Sequence, residues 1–239
     1  LEATARARKI AAIRSFYKYL TSKAKLISEN PMQDLDSPRL KKSLPRYLSL
    51  DESIQLLEAV DEPNQARDYC ILTLFLNCGL RISELVSLNI TDVREEQLRV
   101  LGKGNKERMI FLNDACRAAL DDWLEERSRQ AAADPNALFL TRTHTRMTKD
   151  AVHYMVKQRL KKAGLDASLY SSHKLRHTAA TLMLQNGVDV RTLQEVLGHE
   201  NLNTTQIYTH VDNENLRSAA KANPLGRMKK KSTPIPPGK

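Results

Sequence analysis

Two arginines, a lysine, two histidines and a tyrosine stand in short boxes along the chain, without a carboxylate pair or a set of metal ligands beside them. Arginine forks match the non-bridging oxygens of a phosphodiester, and a lysine adds a point charge or a proton. Phosphoryl transfer depends on stabilising charge at those oxygens and on aligning the attack, so two arginines can stand where other enzymes use Mg²⁺. A tyrosine is then the nucleophile, forming a phosphotyrosine. A phenol of pKa about 10 is a poor nucleophile at neutral pH but a good leaving group, which suits reversible cutting and rejoining better than hydrolysis.

The first box is HKLRHTAATL, with His173, Arg176 and His177 at i, i+3 and i+4. Ser171 or Ser172 can cap a helix here, placing His173 in its first turn and Arg176 at its fourth or fifth position. Free N–H groups and the positive dipole end attract an anion there. Leu175, Ala179 and Leu182 share the buried side; His173 and His177 lie on another. A phosphate, a metal and a packed core compete for this stretch. Histidines at i, i+4 occur in the HExxH zinc box, but that box needs Glu after the first His. Lys174 stands there, with Arg176 close, and cations beside a dication repel it. The bland reading is a capped helix with surface His and Arg.

Three further boxes bear on the choice. CGLRISEL, residues 78–85, puts Arg81 after a Gly stop, with Glu84 one turn on to orient it by a charge-assisted hydrogen bond. GKGNK, residues 102–106, puts Lys103 in a Gly-flanked turn. LGHENLNTTQIYTHV, residues 197–211, has His199 just after Gly198 and Tyr208 nine residues later. Singly these are ordinary: a surface ion pair, a solvated loop lysine, a structural His after a helix end, a half-buried Tyr.

The elements that must position them are mostly helices. Residues 4–21 form an amphipathic helix with Ile10, Ile13, Phe16, Tyr17 and Leu20 on an apolar side and Arg6, Arg8, Lys9, Arg14 and Lys18 on a basic one. One helix cannot bury such a face alone. Residues 28–47 carry three prolines and no helical period, and read as a linker. Ser49 and Glu52 form a capping box before Ile54, Leu56, Leu57 and Val60. An apolar helix spans about 65–78, closed by Gly79, and a short one 81–88. Leu98, Val100, Met109 and Phe111 alternate around the Gly-rich turn as a β-hairpin. Helical patterns return at 114–130, 149–163, 172–186 and 189–197, with a short helix near 204–210 and another over 212–222. The tail RMKKKSTPIPPGK is basic and Pro-rich and reads as disordered. The expected class is mainly α (α+β), with one small antiparallel sheet.

The bulk numbers fit an acidic partner. The 239 residues allow one full domain and a smaller piece. Lys and Arg total 38 against 28 Asp and Glu, a formal charge of +10, which favours nucleic acid first and an anionic membrane surface second. The three cysteines, Cys70, Cys78 and Cys116, include no CxxC pair and read as buried thiols of a reducing, cytoplasmic compartment. No apolar run spans a membrane and no signal peptide is visible. A start at Leu1 without Met reads as a fragment or a processed chain.

Taken in order, GLRISE with Arg81, GKGNKER with Lys103, HKLRH with His173 and Arg176, LGH with His199 and IYTHV with Tyr208 resemble the boxes of the tyrosine recombinase (phage integrase) family, in particular its Xer-type members. The resemblance covers about residues 45–215. No single box is specific; the ordered set is. It implies that residues 1–27 end a helical core-binding domain that binds DNA, most of which has no counterpart here. Residues 28–47 are then the linker, 48–211 the catalytic domain, and 212–239 a C-terminal segment and basic tail.

The resemblance also implies roles. Tyr208 attacks the scissile phosphate of double-stranded DNA, giving a 3′-phosphotyrosine and a free 5′-hydroxyl. Arg81 and Arg176 clamp the phosphate, Lys103 is the general acid, His173 the general base and His199 a phosphate hydrogen-bond donor. Glu84 supports Arg81 from behind. His177, His210 and Cys78 are structural. No cofactor or metal is implied. Members exchange strands between two sites through a Holliday junction, as a homo- or hetero-tetramer. Leu216, Ala219, Ala220 and Leu225 of residues 212–228 can pack on a neighbouring subunit or on their own. Chromosome-dimer resolution and mobile-element integration or excision share this active site. Three rival functions share part of this pattern. A type IB topoisomerase uses the same nucleophile and clamp, a DNA-binding module could have lost its catalysis, and a metal-dependent nuclease would need carboxylates.

Overall fold

The computed structural model describes residues 3–36, 38, 46–61, 64–102, 106–198 and 213–228. The chain divides into two compact units, Leu1–Pro45 and Arg46–Lys239. The first holds helix α1, Ala3–Ser22. Its Arg14 guanidinium donates to the Leu35 carbonyl. Of the apolar side expected for this helix, Ile10, Tyr17 and Leu20 are half-buried. Ile13 and Phe16 are exposed, as is Tyr19.

The second unit is built around helix α3, Gln65–Cys78, in which every residue from Ala66 to Cys78 is buried. A helix buried on all sides must be wrapped by others. Around it lie α2 (Leu50–Glu58), α5 (Asp114–Ser128), α6 (Lys149–Lys162) and α7 (Ser172–Gln185). Local chemistry sets their starts. Ser49 and Glu52 cap α2 reciprocally, and Asn113 and Thr148 cap α5 and α6 through their side chains. The N-terminus of α3 carries charge into the interior. Arg67 bonds Asp68, and Asp68 also receives Arg159 of α6, which reaches on to Asp61. Each buried charge there has an opposite partner, as burial requires.

Strands β1 (Gln97–Leu101) and β2 (Glu107–Phe111) form an antiparallel two-stranded sheet. The register pairs Leu98 with Ile110 and Val100 with Arg108. Partners directly opposite share a face, so Arg108 stands on the same side as the buried Leu98 and Val100. Met109 and Phe111 therefore face the other way, where Arg217 lies over the Phe111 ring at 5.3 Å. Short helix α4, Ile82–Ser87, precedes the sheet, and α8, Val190–Leu197, follows α7 with Asp189 as its cap.

Helix α9, Asn213–Ala222, and the 3₁₀ turn Pro224–Arg227 pack on their own unit. Leu225 is fully buried in the main core, and Ala219 joins Met183, Val188, Leu193 and Leu197 in a second cluster. Asn223 Nδ2 donates to the Leu76 carbonyl at 2.9 Å, and Asn113 Nδ2 to the Ala220 carbonyl at 3.1 Å. Leu225→Ala should therefore cost about 2–5 kcal/mol in a urea unfolding titration. A cost under about 0.5 kcal/mol, the level of an ordinary surface change, would show that this segment leaves its seat in solution.

The three thiols are buried and free. Cys78 and Cys116 lie Sγ to Sγ at 3.7 Å. The Cys78 contact, with burial, holds the Cys116 thiol well above its ordinary value, and burial does the same for Cys70. Thiols so placed are inert packing groups.

Candidate active site

Two glycines let three segments converge. Gly79 ends α3 with φ +59°, a left-handed conformation that favours glycine. A Cβ there would stand 2.6 Å from Leu197 Cδ2 and 3.7 Å from Ala179 Cβ, so α3, α7 and the end of α8 meet at this point. Gly198 ends α8 with φ +64°, and a Cβ there would stand 3.1 Å from the Arg108 guanidinium.

Where they meet, three arginines surround one carboxylate. Arg81 is the residue before α4. Its backbone N–H donates to Glu84 Oε2 at 2.7 Å, and its Nη1 to Glu84 Oε1 at 2.7 Å. Its Nη2 donates to the Gly198 carbonyl at 3.0 Å. Arg108, from β2, forks onto the same carboxylate, Nη1 to Oε1 at 2.8 Å and Nη2 to Oε2 at 3.1 Å. Arg176, from the second turn of α7, donates to the Gly79 carbonyl and, at 2.6 Å, to the Leu197 carbonyl. Its Nη1 lies 3.9 Å from Glu84 Oε2.

Burial decides how these charges behave. The Glu84 side chain is 2% exposed, Arg176 9%, Arg108 16% and Arg81 31%. Burial alone raises the Glu84 carboxyl, but Arg108 first and Arg81 after it outweigh that and leave it below its ordinary value. Burial, then the neighbouring charge of Arg81, with Glu84 opposing, lowers Arg176 to about 10, so it remains charged at neutral pH. Among the described residues, three guanidiniums face one carboxylate, in a partly desolvated place where an anion gains most.

The sequence-predicted residues fall into three groups. The structure brings Arg81, Glu84 and Arg176 together. His173 lies exposed in the first turn of α7, one turn before Arg176, and no hydrogen bond joins it to the cluster among the described residues. Lys103, His199 and Tyr208 lie outside the described residues, as do His210 and the short helix expected near 204–210. Their flanks are described. Gly102 N–H bonds the Lys106 carbonyl at 2.8 Å across the base of the Lys103 turn. Gly198, bonded to Arg81, is the residue before His199. The His177 ring meets Tyr47 edge to face, 6.1 Å between centroids.

Arg108 was not among the residues singled out from sequence. The available signal was a cation two positions from Ile110 in a strand whose alternate positions are apolar. Without the register, that reads as the solvent face.

Comparison with known proteins agrees with this geometry. The model of the phage integrase family matches residues 46–215. Tyrosine recombinase XerC of Caldanaerobacter subterraneus subsp. tengcongensis is 55% identical over 224 residues, covering 93% of this chain and 64% of the relative. The chain thus spans a little under two thirds of that relative's length. The crystal structure of XerA recombinase superposes with a TM-score of 0.63 at 31% identity, covering 89% of this chain and 82% of that one. XerH site-specific recombinase, solved bound to difH substrate in a pre-cleavage complex, superposes with a TM-score of 0.63 at 28% identity, covering 88% and 63%. With an ordered set of boxes, three arginines on one carboxylate and a family match across most of its length, the chain belongs to the phage integrase, or tyrosine recombinase, family.

Proposed function

We propose that the chain is a site-specific recombinase of double-stranded DNA, cutting and rejoining strands through a 3′-phosphotyrosine at Tyr208 without a metal ion. The observation that carries this reading is the convergence of Arg81, Arg108 and Arg176 on Glu84 at the end of α8, immediately before the segment that bears His199 and Tyr208. A cluster of three guanidiniums, just before the segment of sequence that bears the tyrosine, suits a phosphodiester. XerH bound to difH supports DNA as the substrate.

In this reading Arg81 and Arg176 hold the non-bridging oxygens, with Glu84 fixing Arg81 from the buried side. His199 adds a hydrogen bond, His173 takes the Tyr208 proton, and Lys103 protonates the leaving 5′-oxygen. Residues 48–211 form the catalytic domain and 1–27 the end of a core-binding domain, joined by the linker 28–47. Residues 212–239 follow as a C-terminal segment whose described part is seated on its own unit. Two paired sites and four subunits complete the exchange, and the place of action is the cytoplasm. No helix of the described residues is long and apolar enough to cross a membrane.

The test is covalent capture. The protein is incubated with a library of nicked duplexes of randomised sequence, and SDS-resistant adducts are isolated and their DNA sequenced. A consensus site attached at Tyr208 supports the reading. Relaxation of supercoiled plasmid without exchange between two copies of that site would favour a topoisomerase, and non-covalent binding alone a module that has lost its chemistry. Because arginines supply the positive charge here, adduct formation should proceed within about twofold of its rate in excess EDTA, against losses of several kcal/mol of transition-state stabilisation when a catalytic metal is removed. Loss on chelation with recovery on Mg²⁺ or Zn²⁺ would overturn the metal-free mechanism.

A further inference from the structure

We propose that Arg108 is a positioning residue. By forking the Glu84 carboxylate it makes docking of the β-hairpin and orientation of Arg81 a single event. The inference rests on the recombinase reading and deepens it.

Glu84 has two oxygens and serves both arginines with each. Oε1 accepts Arg81 Nη1 at 2.7 Å and Arg108 Nη1 at 2.8 Å; Oε2 accepts the Arg81 N–H at 2.7 Å and Arg108 Nη2 at 3.1 Å. A bidentate fork fixes the plane of a carboxylate as well as its charge. That plane decides where Oε1 points, and Oε1 is what holds the Arg81 guanidinium. The same Arg108 side chain donates through Nε to the Val196 carbonyl at 3.3 Å, and Gly198 lies directly against it. It also pairs in register with Val100, in the hairpin whose turn carries Lys103. One side chain thus ties together the strand pair behind Lys103, the carboxylate behind Arg81 and the helix end before His199.

Among the described residues, the groups facing Glu84 are Arg81 from the start of α4, Arg108 from β2 and Arg176 from α7. Removing Arg108 deletes the largest of the influences that offset burial of the carboxyl. Glu84 then takes a proton at higher pH than before. Once neutral, it releases Arg81 from its charge-assisted bond. A residue that only stabilised the fold would slow the reaction equally at every pH.

The measurement is the rate of SDS-resistant adduct formation on the duplex captured by the wild type. For R108Q, the variant-to-wild-type ratio should fall about tenfold from neutral pH down the acid limb, because Glu84 takes its proton at higher pH than in the wild type. R108K keeps the charge but loses the fork, so its ratio should be reduced but level across that range. In an E84Q background, where no carboxylate remains to orient, R108Q should cost less than about threefold more, showing the two residues coupled. A level ratio for R108Q with multiplicative effects in the double variant would overturn the proposal.

A second readout needs no DNA. With isotope-labelled glutamate carboxyls, the signal absent from E84Q should titrate at higher pH in R108Q than in the wild type; an unshifted titration overturns the proposal. If R108Q does not fold, R108K carries the test. Its slowing should vanish in the E84Q background, whereas a structural defect would slow both backgrounds alike. No adduct from the wild type at any pH would sink the recombinase reading itself. A wild-type adduct with unshifted Glu84 would sink only the role of Arg108.

Discussion

Tyr208→Phe should abolish the covalent protein–DNA adduct and leave DNA affinity nearly unchanged. The substitution removes one oxygen, which in the proposed mechanism is the atom that attacks phosphorus. No neighbouring group of the IYTHV box can replace it: Thr209 has a far less acidic hydroxyl, and His210 would give an acid-labile phosphoramidate. Phosphotyrosine formation without the phenol oxygen is therefore impossible, and the expected loss is complete rather than partial. Affinity is set by other atoms. Sequence-independent binding comes from Lys and Arg neutralising phosphates, and Phe keeps the aromatic ring while changing no charge. The check is paired: adducts on denaturing gels with the captured duplex, and affinity by titration at fixed salt. An adduct that persists in Tyr208→Phe would remove Tyr208 as nucleophile. Loss of both adduct and binding would make Tyr208 a residue that shapes the DNA-binding surface.

How far such a site can be read from sequence depends on whether the geometry is local. The Arg81–Glu84 bond spans three residues, so a helix start with Glu at its third position implies it before any packing is known. Caps at Ser49, Asn113, Thr148 and Asp189, and left-handed stops at Gly79 and Gly198, are local in the same sense. Arg108 is different. Its direction depends on which residue of β1 it faces, and a one-residue slip would turn it outward. Pairing with Val100 is a contact between strands, and a period of two cannot say which of two faces is covered when both are. Here one face packs inward and the other lies under α9. The amphipathic α9 posed the same kind of problem. Its apolar residues say that a surface covers them, not whose. Leu225 in the core and Asn223 on the Leu76 carbonyl supply the answer for this structure.

Lys103→Ala should slow adduct formation on ordinary DNA by about 10²–10⁴-fold, the usual contribution of a positioned general acid. The leaving group in cleavage is a 5′-alkoxide, a strong base that departs poorly unless it gains a proton as the bond breaks. A lysine ammonium can supply that proton, and the hairpin is a suitable carrier. Its base is closed by the Gly102–Lys106 bond, and its second strand is anchored two residues beyond Lys106 by Arg108 on Glu84. Replacing the bridging 5′-oxygen by sulfur separates proton donation from charge stabilisation. A thiolate is a far weaker base and leaves without help, so the need for an acid disappears while the phosphate's other oxygens are unchanged. Lys103→Ala should then recover most of its rate on the sulfur-bridged duplex, whereas Arg81→Ala and Arg176→Ala, which act on the non-bridging oxygens, should stay slow on both. The readout is the ratio of adduct rates on the two duplexes for each variant. Equal damage on both from Lys103→Ala would assign the lysine to charge stabilisation, and the proton would then have to come from elsewhere in the site.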